Sequence, residues 1–206
     1  MWTNAPTKSD ERRAELLAAG VRVLRRMGFE RMRLRDVAKE AGVSIGLVQH
    51  YFETREQLAQ ECFAAACGER AHDFAQSAPA EGSAWERISQ MIDHAFGAAA
   101  LHRRAAMWVD LCAAAGRDPS LRQEAALVQD VWRDPLAAAI TDGEASGEFS
   151  LRLDMEATVE ALLALVDGAE VAATIGGKDF SPDRLHTAAL EITRHLLGVD
   201  DARVRT

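Results

Sequence analysis

Residues 34–61, LRDVAKEAGVSIGLVQHYFETREQLAQE, decide how this chain folds. In residues 34–41, apolar side chains recur at steps of three and four, which predicts a short amphipathic helix. Gly42 stands where a glycine commonly ends a helix in the left-handed conformation, and Ser44 stands where an N-cap residue opens the next one. The stretch therefore predicts two short helices, 34–41 and 45–51, joined by a tight turn.

Residues 42–46, GVSIG, also fit the pattern that surrounds the nucleophilic serine of many hydrolases. That nucleophile lies between a strand and a helix, whereas the residues before Ser44 have the periodicity and alanine content of a helix. Helix, glycine turn and second short helix instead form a helix-turn-helix, whose second helix enters the major groove of DNA. We therefore predict that Ser44 caps a DNA-reading helix and that the protein is not an enzyme.

Helical patterns continue on both sides of this stretch. A first helix is predicted after Ser9 as N-cap, with an apolar stripe that ends at Gly28, and the capping box Thr54-x-x-Gln57 opens a fourth helix. Beyond it we predict helices from Ser83-x-x-Glu86 to Phe96, over 103–115, from Asp118-Pro119 to about Ala145 with a kink at Pro135, over 154–175, and from Ser181-Pro182 to Leu197. The fold class is all-α. An N-terminal three-helix helix-turn-helix domain, residues 1–53, precedes a helical ligand-binding and dimerisation domain, residues 54–200.

Charge and composition agree with this division. The net charge is −8, yet residues 1–60 carry 11 Lys+Arg against 8 Asp+Glu, and the rest carries 13 against 24. A basic module on an acidic body suits a phosphate backbone, although a solvated helix face would give the same counts. The polar start, the absence of a long apolar run and the three unpatterned cysteines predict a soluble, cytoplasmic protein.

Residues 34–61 resemble the DNA-binding signature of TetR-family transcriptional regulators, and SIGLVQHYF (44–52) is most similar to the BetI-type branch. Residues 162–176, LLALVDGAEVAATIG, with the final helix, resemble the dimerising end of that family. The resemblance implies a ligand-responsive repressor without cofactors. It would bind a palindromic double-stranded DNA operator as a homodimer and be released by a small-molecule effector.

The DNA-reading helix has an inward and an outward side. Val48 and Phe52, four residues apart, are predicted core positions, with Leu47 at the border. On the outward side, Gln49 suits an adenine edge and Ile45 a thymine methyl. Tyr51 either packs in the core or bonds a phosphate. The predicted DNA contacts are Arg33, Ser44, Ile45, Gly46, Gln49, His50, Tyr51, Thr54 and Arg55.

Two of these positions depart from the family pattern. The family usually has Thr or Ser at the start of its second helix, where this chain has Met32 and Arg33, so that cap is absent or made otherwise. It usually has Lys where this chain has Arg55, which keeps the positive charge and presents a planar fork. Both arginines are therefore predicted to contact phosphates.

Two further groups of predicted site residues lie in the helical domain, residues 54–200. Bulky, adaptable side chains on several helices are either ordinary core or the lining of a pocket for an apolar or cationic molecule, namely Met91, Phe96, Met107, Trp108, Cys112 and Trp132. The last two helices each have one apolar face, which either packs on its own subunit or forms a dimer interface through Leu163, Val166, Ala169, Leu185, Ala189, Ile192 and Leu196.

Two alternatives to the repressor are a helical enzyme and a ligand-independent DNA-binding protein. The enzyme would need a carboxylate pair such as a Glu-x-x-His motif on two helices, which the sequence lacks. The second alternative predicts no internal cavity. A metal site at Cys62, Cys67 and His72 is not expected, because spacings of five place successive residues about 140° apart on a helix.

Overall fold

The computed structural model describes residues 7–77 and 82–199, and within them every side chain except those of 67–77, 98–100, 103–104, 120 and 124. All regular structure in these ranges is helical, which confirms the predicted all-α class. The helices are α1 Lys8–Met27, α2 Leu34–Ala41, α3 Ile45–Tyr51, α4 Arg55–Ser77, α5 Ala84–Phe96, α6 Ala98–Arg117, α7 Arg122–Ala145, α8 Met155–Ile175 and α9 Pro182–Leu197. None of them, over the residues described, combines the length and the apolarity that a membrane span requires.

Several helix ends lie where the sequence predicted them. The bounds of α2 and α3 match, the Ser83 and Glu86 side chains form the capping box of α5, and Asp154 caps α8. The predicted cap of α1 is wrong. Thr7 caps this helix, because Asp10 stands three residues later and its carboxylate accepts from the Thr7 N–H at 2.9 Å.

The middle of the chain also departs from prediction. Helix α6 begins at Ala98, five residues before the predicted start, and the N–H of Leu101 bonds the carbonyl of Gly97 at 2.8 Å. Pro119–Leu121 forms a separate turn of 3₁₀ helix, so α7 begins at Arg122 and contains Pro135.

The described chain divides into two compact units. The first consists of residues 7–70 and 110–125, and the second of 71–77, 82–109 and 126–199. The boundaries between the two units fall inside α4, α6 and α7. The units therefore differ from the two functional domains divided after residue 53, and that functional division remains a proposal. Fully buried side chains of the first unit include Leu16, Met32, Val48, Phe52, Leu58 and Phe63.

Residues from α5, α7, α8 and α9 form the main core of the second unit. The Glu148 carboxylate, in the loop after α7, accepts from the N–H groups of Ala84 and Trp85 at 2.9 and 3.0 Å. A carboxylate is favourable there, because the first N–H groups of a helix have no partner within the helix.

Candidate nucleic-acid interface and ligand cleft

The turn between α2 and α3 is held by backbone hydrogen bonds around Gly42. This glycine has φ 68° and ψ 32°, in the left-handed region, and the N–H of Val43 reaches back to the Ala38 carbonyl at 2.9 Å. A side chain at residue 42 would meet no atom within 4 Å, so the backbone conformation alone favours glycine here. The turn leads the chain directly into α3.

Ser44 caps α3. Its Oγ accepts from the Leu47 N–H at 3.3 Å, and the residues that precede the turn form α2. A nucleophile elbow needs a strand in that place. The local geometry is therefore that of a helix cap and not of a hydrolase.

Helix α3 has the predicted inward and outward sides. Val48 and Phe52 are fully buried, which confirms the two core positions. Ile45 is 46% exposed, and Gln49 and His50 are exposed. The outward side thus offers an amide, an imidazole and an aliphatic group next to one another.

Tyr51 lies at the border of α3, half-buried. Its hydroxyl accepts a long hydrogen bond, 3.5 Å, from Oγ of Ser9, and the His50 ring meets its ring edge to face with centroids 5.1 Å apart. Since Ser9 is exposed, the hydroxyl reaches a polar neighbour outside the core.

The two arginines predicted to bind phosphate are engaged with the turn between α1 and α2. Arg33 Nη1 donates to the carbonyls of Glu30 and Met32 at 2.8 and 3.0 Å, and its side chain does not cap α2. Arg55 Nη1 donates to the Phe29 carbonyl at 2.8 Å, and its guanidinium carbon lies 4.9 Å from the centre of the Phe29 ring. The Arg55 side chain is only 23% exposed, and its contacts with Phe29 stabilise this turn.

Two residues of α6 that sequence reasoning missed bind the same turn. Asp110 Oδ2 accepts from the Phe29 N–H at 2.5 Å, and Arg117 Nη2 pairs with Glu30 Oε1 at 2.8 Å. These partners are 81 and 87 positions apart in the sequence, so no local pattern could have indicated the contacts.

Helix α2 adds two exposed cations, Arg35 and Lys39, which sequence reasoning also missed. They are four residues apart and so lie on one side of the helix. The Glu40 carboxylate accepts hydrogen bonds from Arg22 Nε at 2.9 Å and from Arg26 Nη1 at 3.1 Å. These hydrogen bonds hold the pKa of Glu40 below its usual value. Helix α1 is thus tied to the helix that carries the two free-standing positive charges.

A cleft in the second unit is lined by thirteen residues of α5, α7, α8 and α9. Three of the six predicted pocket residues, Met91, Phe96 and Trp132, are among them. The other three are not: Met107 and Trp108 are buried elsewhere and Cys112 is exposed. The free volume inside the cleft is about 30 Å³, and the figure rises to about 410 Å³ only when open solvent at the mouth is counted.

The residues predicted for a dimer interface fall into three environments. Ala169 and Ala189 are buried, so their side chains reach no outer surface. Ile192 is 44% exposed, and two unpredicted residues of α8, Val171 and Ile175, are exposed as well. The remaining predicted residues are half-buried, namely Leu163, Val166, Leu185 and Leu196.

Across the side chains described, no three His, Cys, Asp or Glu residues come close enough to hold a metal ion. Cys62 is buried, while the side chains of Cys67 and His72 lie outside the described set.

Two protein-family models match the chain. Residues 16–62 match "Bacterial regulatory proteins, tetR family", and residues 84–198 match "BetI-type transcriptional repressor, C-terminal". The chain is 25% identical over 197 residues to the regulator BetI of Escherichia coli O17:K52:H18, covering 90% of this chain and 92% of BetI. Two Bacillus subtilis relatives are matched only in part: YfiR, an uncharacterized regulator, is 34% identical over 40% of its length, and PksA is matched over 24%.

Solved structures share the fold. A TetR-family regulator from a Rhodococcus species superposes with a TM-score of 0.73 at 26% identity, covering 91% of this chain and 98% of that one. A regulator from Saccharomonospora viridis, solved with choline, has a TM-score of 0.79 at 21% identity, covering 90% and 96%.

A helix-turn-helix unit followed by an all-helical body is the architecture of a transcriptional regulator, and both matched families consist of regulators and not of enzymes. The chain belongs to the TetR family, in its BetI-type branch.

Proposed function

We propose that the chain represses transcription as a homodimer that binds a palindromic operator and is released when a small molecule occupies the cleft. The observation that carries this proposal is the outward side of α3, where Ile45, Gln49 and His50 are exposed above buried Val48 and Phe52. These side chains suit base edges in the major groove.

Phosphate contacts would surround this reading helix. Ser44, Thr54 and Tyr51 offer hydroxyl groups at the ends of α3 and at the start of α4, and Gly46 leaves room for close approach of the DNA backbone. Arg33 and Arg55 would contact phosphates only after exchanging their present partners, which are backbone carbonyls and, for Arg55, also the Glu56 carboxylate. Arg35 and Lys39 need no such exchange, since the first helix of a helix-turn-helix crosses the DNA backbone.

The two half-sites of a palindrome lie about one helical turn of DNA, ~34–36 Å, or a multiple apart. A dimer is needed to hold two copies of α3 at that separation. Exposed Ile192 on α9 and exposed Val171 and Ile175 on α8 support an apolar interface at this end of the chain. Half-buried Leu163, Val166, Leu185 and Leu196 would border it. Ala169 and Ala189 are buried under this surface, and their small side chains would let the helices pack closely.

An effector would act through its preference between two states. If it binds the DNA-incompetent state better, it lowers operator affinity by the ratio of its two affinities and no further. The cleft supports such a ligand, because α8 and α9, which carry the proposed interface, also form two of its walls.

Selection from random double-stranded DNA with the purified full-length chain tests this proposal. We expect enrichment of an inverted repeat with half-sites one helical turn or a multiple apart. Enrichment of a single unrepeated site, or of no sequence at all, would contradict it.

A further inference from the structure

We propose that the effector cleft takes a small, uncharged, apolar molecule rather than a cation or an anion. This inference rests on the proposed effector role and adds the chemical class of the ligand. It follows from what the described cleft walls offer and what they lack.

The cleft walls carry no charged side chain among the lining residues that the structure describes. Eleven of the thirteen are aliphatic, Met or Phe, and the other two, Thr193 and Trp132, bring uncharged polar groups. The Thr193 hydroxyl donates its proton to the Ala189 carbonyl at 2.7 Å, so it offers a ligand only an acceptor. A hydrocarbon surface therefore meets complementary walls almost everywhere.

A charged ligand would lose its hydration here and would meet no opposite charge among the lining residues that the structure describes. A quaternary ammonium would find at most two described aromatic rings, those of Phe96 and Trp132. Such rings attract a cation, but the cost of removing a charge from water without a counter-ion exceeds that attraction. The choline complex of the Saccharomonospora regulator therefore does not predict the ligand of this chain.

The size of the cleft limits the ligand further. The free cavity volume is only about 30 Å³, far below the ~300–1,000 Å³ typical of ligand sites, so side chains must part for a ligand to enter. Met91 is suited to this movement because its unbranched side chain adapts readily. A thin alkyl chain or a flat ring would require the smallest displacement of these side chains.

Three probes that share an eight-carbon chain test the class directly: 1-octanol, octanoate and octyltrimethylammonium. Each is titrated against the full-length protein without DNA, by displacement of the neutral fluorophore N-phenyl-1-naphthylamine. We expect 1-octanol to displace the fluorophore at least tenfold more effectively than either ion. Equal or better displacement by an ion, or no displacement by any of the three, would overturn the proposal.

A negative charge placed in the cleft wall should change which of the three probes binds most tightly. Leu165 is half-buried and lines the cleft, so Leu165→Glu adds a carboxylate to the wall. We expect at least tenfold weaker binding of 1-octanol and stronger binding of octyltrimethylammonium. Ala138→Glu, exposed on α7 and outside the lining, is the matched control and should leave all three affinities unchanged.

A Leu165→Glu variant that folds, by circular dichroism, and keeps the wild-type selectivity would show that the probes bind elsewhere. Should this variant not fold, the three probes on the wild-type protein still decide the matter. These titrations contain no DNA, so their failure would show that the ligand class is wrong. A wrong regulatory role would instead appear in a separate experiment, as 1-octanol that binds the protein without releasing the operator.

Discussion

The carboxylate of Asp110 in α6 accepts a hydrogen bond from the backbone N–H of Phe29, with 2.5 Å between oxygen and nitrogen. Gly28, the preceding residue, has φ 75°, and a side chain there would lie 3.1 Å from the same carboxylate oxygen. The turn that leads from α1 towards α2 is thus fixed by a residue 81 positions away.

We expect Asp110→Ala to lower the free energy of unfolding by about 1–3 kcal/mol, because the half-buried Phe29 N–H loses its partner. Asp110→Asn, which retains an acceptor oxygen, should lose less. Urea unfolding measures both. Asp130→Ala, at an exposed position of α7, is the control, and an equal loss in that variant would show that the hydrogen bond is not the cause.

Gln49→Ala tests whether α3 reads sequence. We expect a loss of roughly 1–3 kcal/mol on the selected site and little change on random DNA, with relaxed preference at one or two base pairs of each half-site. Gln90→Ala, exposed on α5, should change neither affinity. Equal losses on both DNAs would mean that Gln49 positions the helix rather than reading bases.

The salt dependence of DNA binding, measured together with protein stability, separates the exposed cations of α2 from the arginines engaged with the turn. We expect Lys39→Ala to weaken specific and non-specific binding alike and to reduce the slope of log affinity against log salt by about one, with unchanged stability. Arg55→Ala should lower the unfolding free energy as well, since the Phe29 carbonyl loses its hydrogen bond and the Phe29 ring its cation. A stable Arg55→Ala protein together with an unchanged slope for Lys39→Ala would contradict this division.

Ile192→Glu tests the dimer, because a charge at an exposed apolar position should oppose burial against a second copy. Sedimentation should show a monomer that loses the selected site and keeps weak non-specific binding. Thr187→Glu, exposed elsewhere on α9, is the control and should remain dimeric. A folded Ile192→Glu dimer with full operator affinity would move the interface elsewhere.

Thiol chemistry tests the packing of the first unit. Burial, aided by the Glu61 carboxylate, raises the pKa of Cys62 to about 12, so its reactive thiolate forms only near that pH. At pH 8 iodoacetamide should therefore modify exposed Cys112 and spare Cys62 in the folded protein, as read by peptide mass spectrometry. Equal modification of both would show that this core opens readily.

Local patterns in the sequence predicted α2, its glycine turn and α3, because the relevant interactions span only a few residues. Helix periodicity also predicted the inward positions Val48 and Phe52. The cap of α1 was mispredicted because two hydroxyl residues, Thr7 and Ser9, compete for it, and the acidic Asp10 decides between them.

Such local patterns could not predict contacts between residues that are far apart in the sequence. Nothing near Asp110 in the sequence indicates that it binds Phe29, and Arg55 looks like a free phosphate ligand until its turn partners are visible. Amino-acid type suggested six pocket residues, of which Met91, Phe96 and Trp132 line the cleft. It could not exclude Met107 or Trp108, because core and pocket use the same side chains.

In the proposed repressor, two copies of α3 read the two half-sites of one operator. Fluorescence anisotropy of the wild-type chain tests this arrangement by comparing the selected duplex with a duplex in which one half-site is scrambled. We predict two chains per intact duplex and at least a tenfold loss of affinity when either half-site is scrambled. Equal affinity for the intact and the scrambled duplex, or one chain bound to each, would contradict the account.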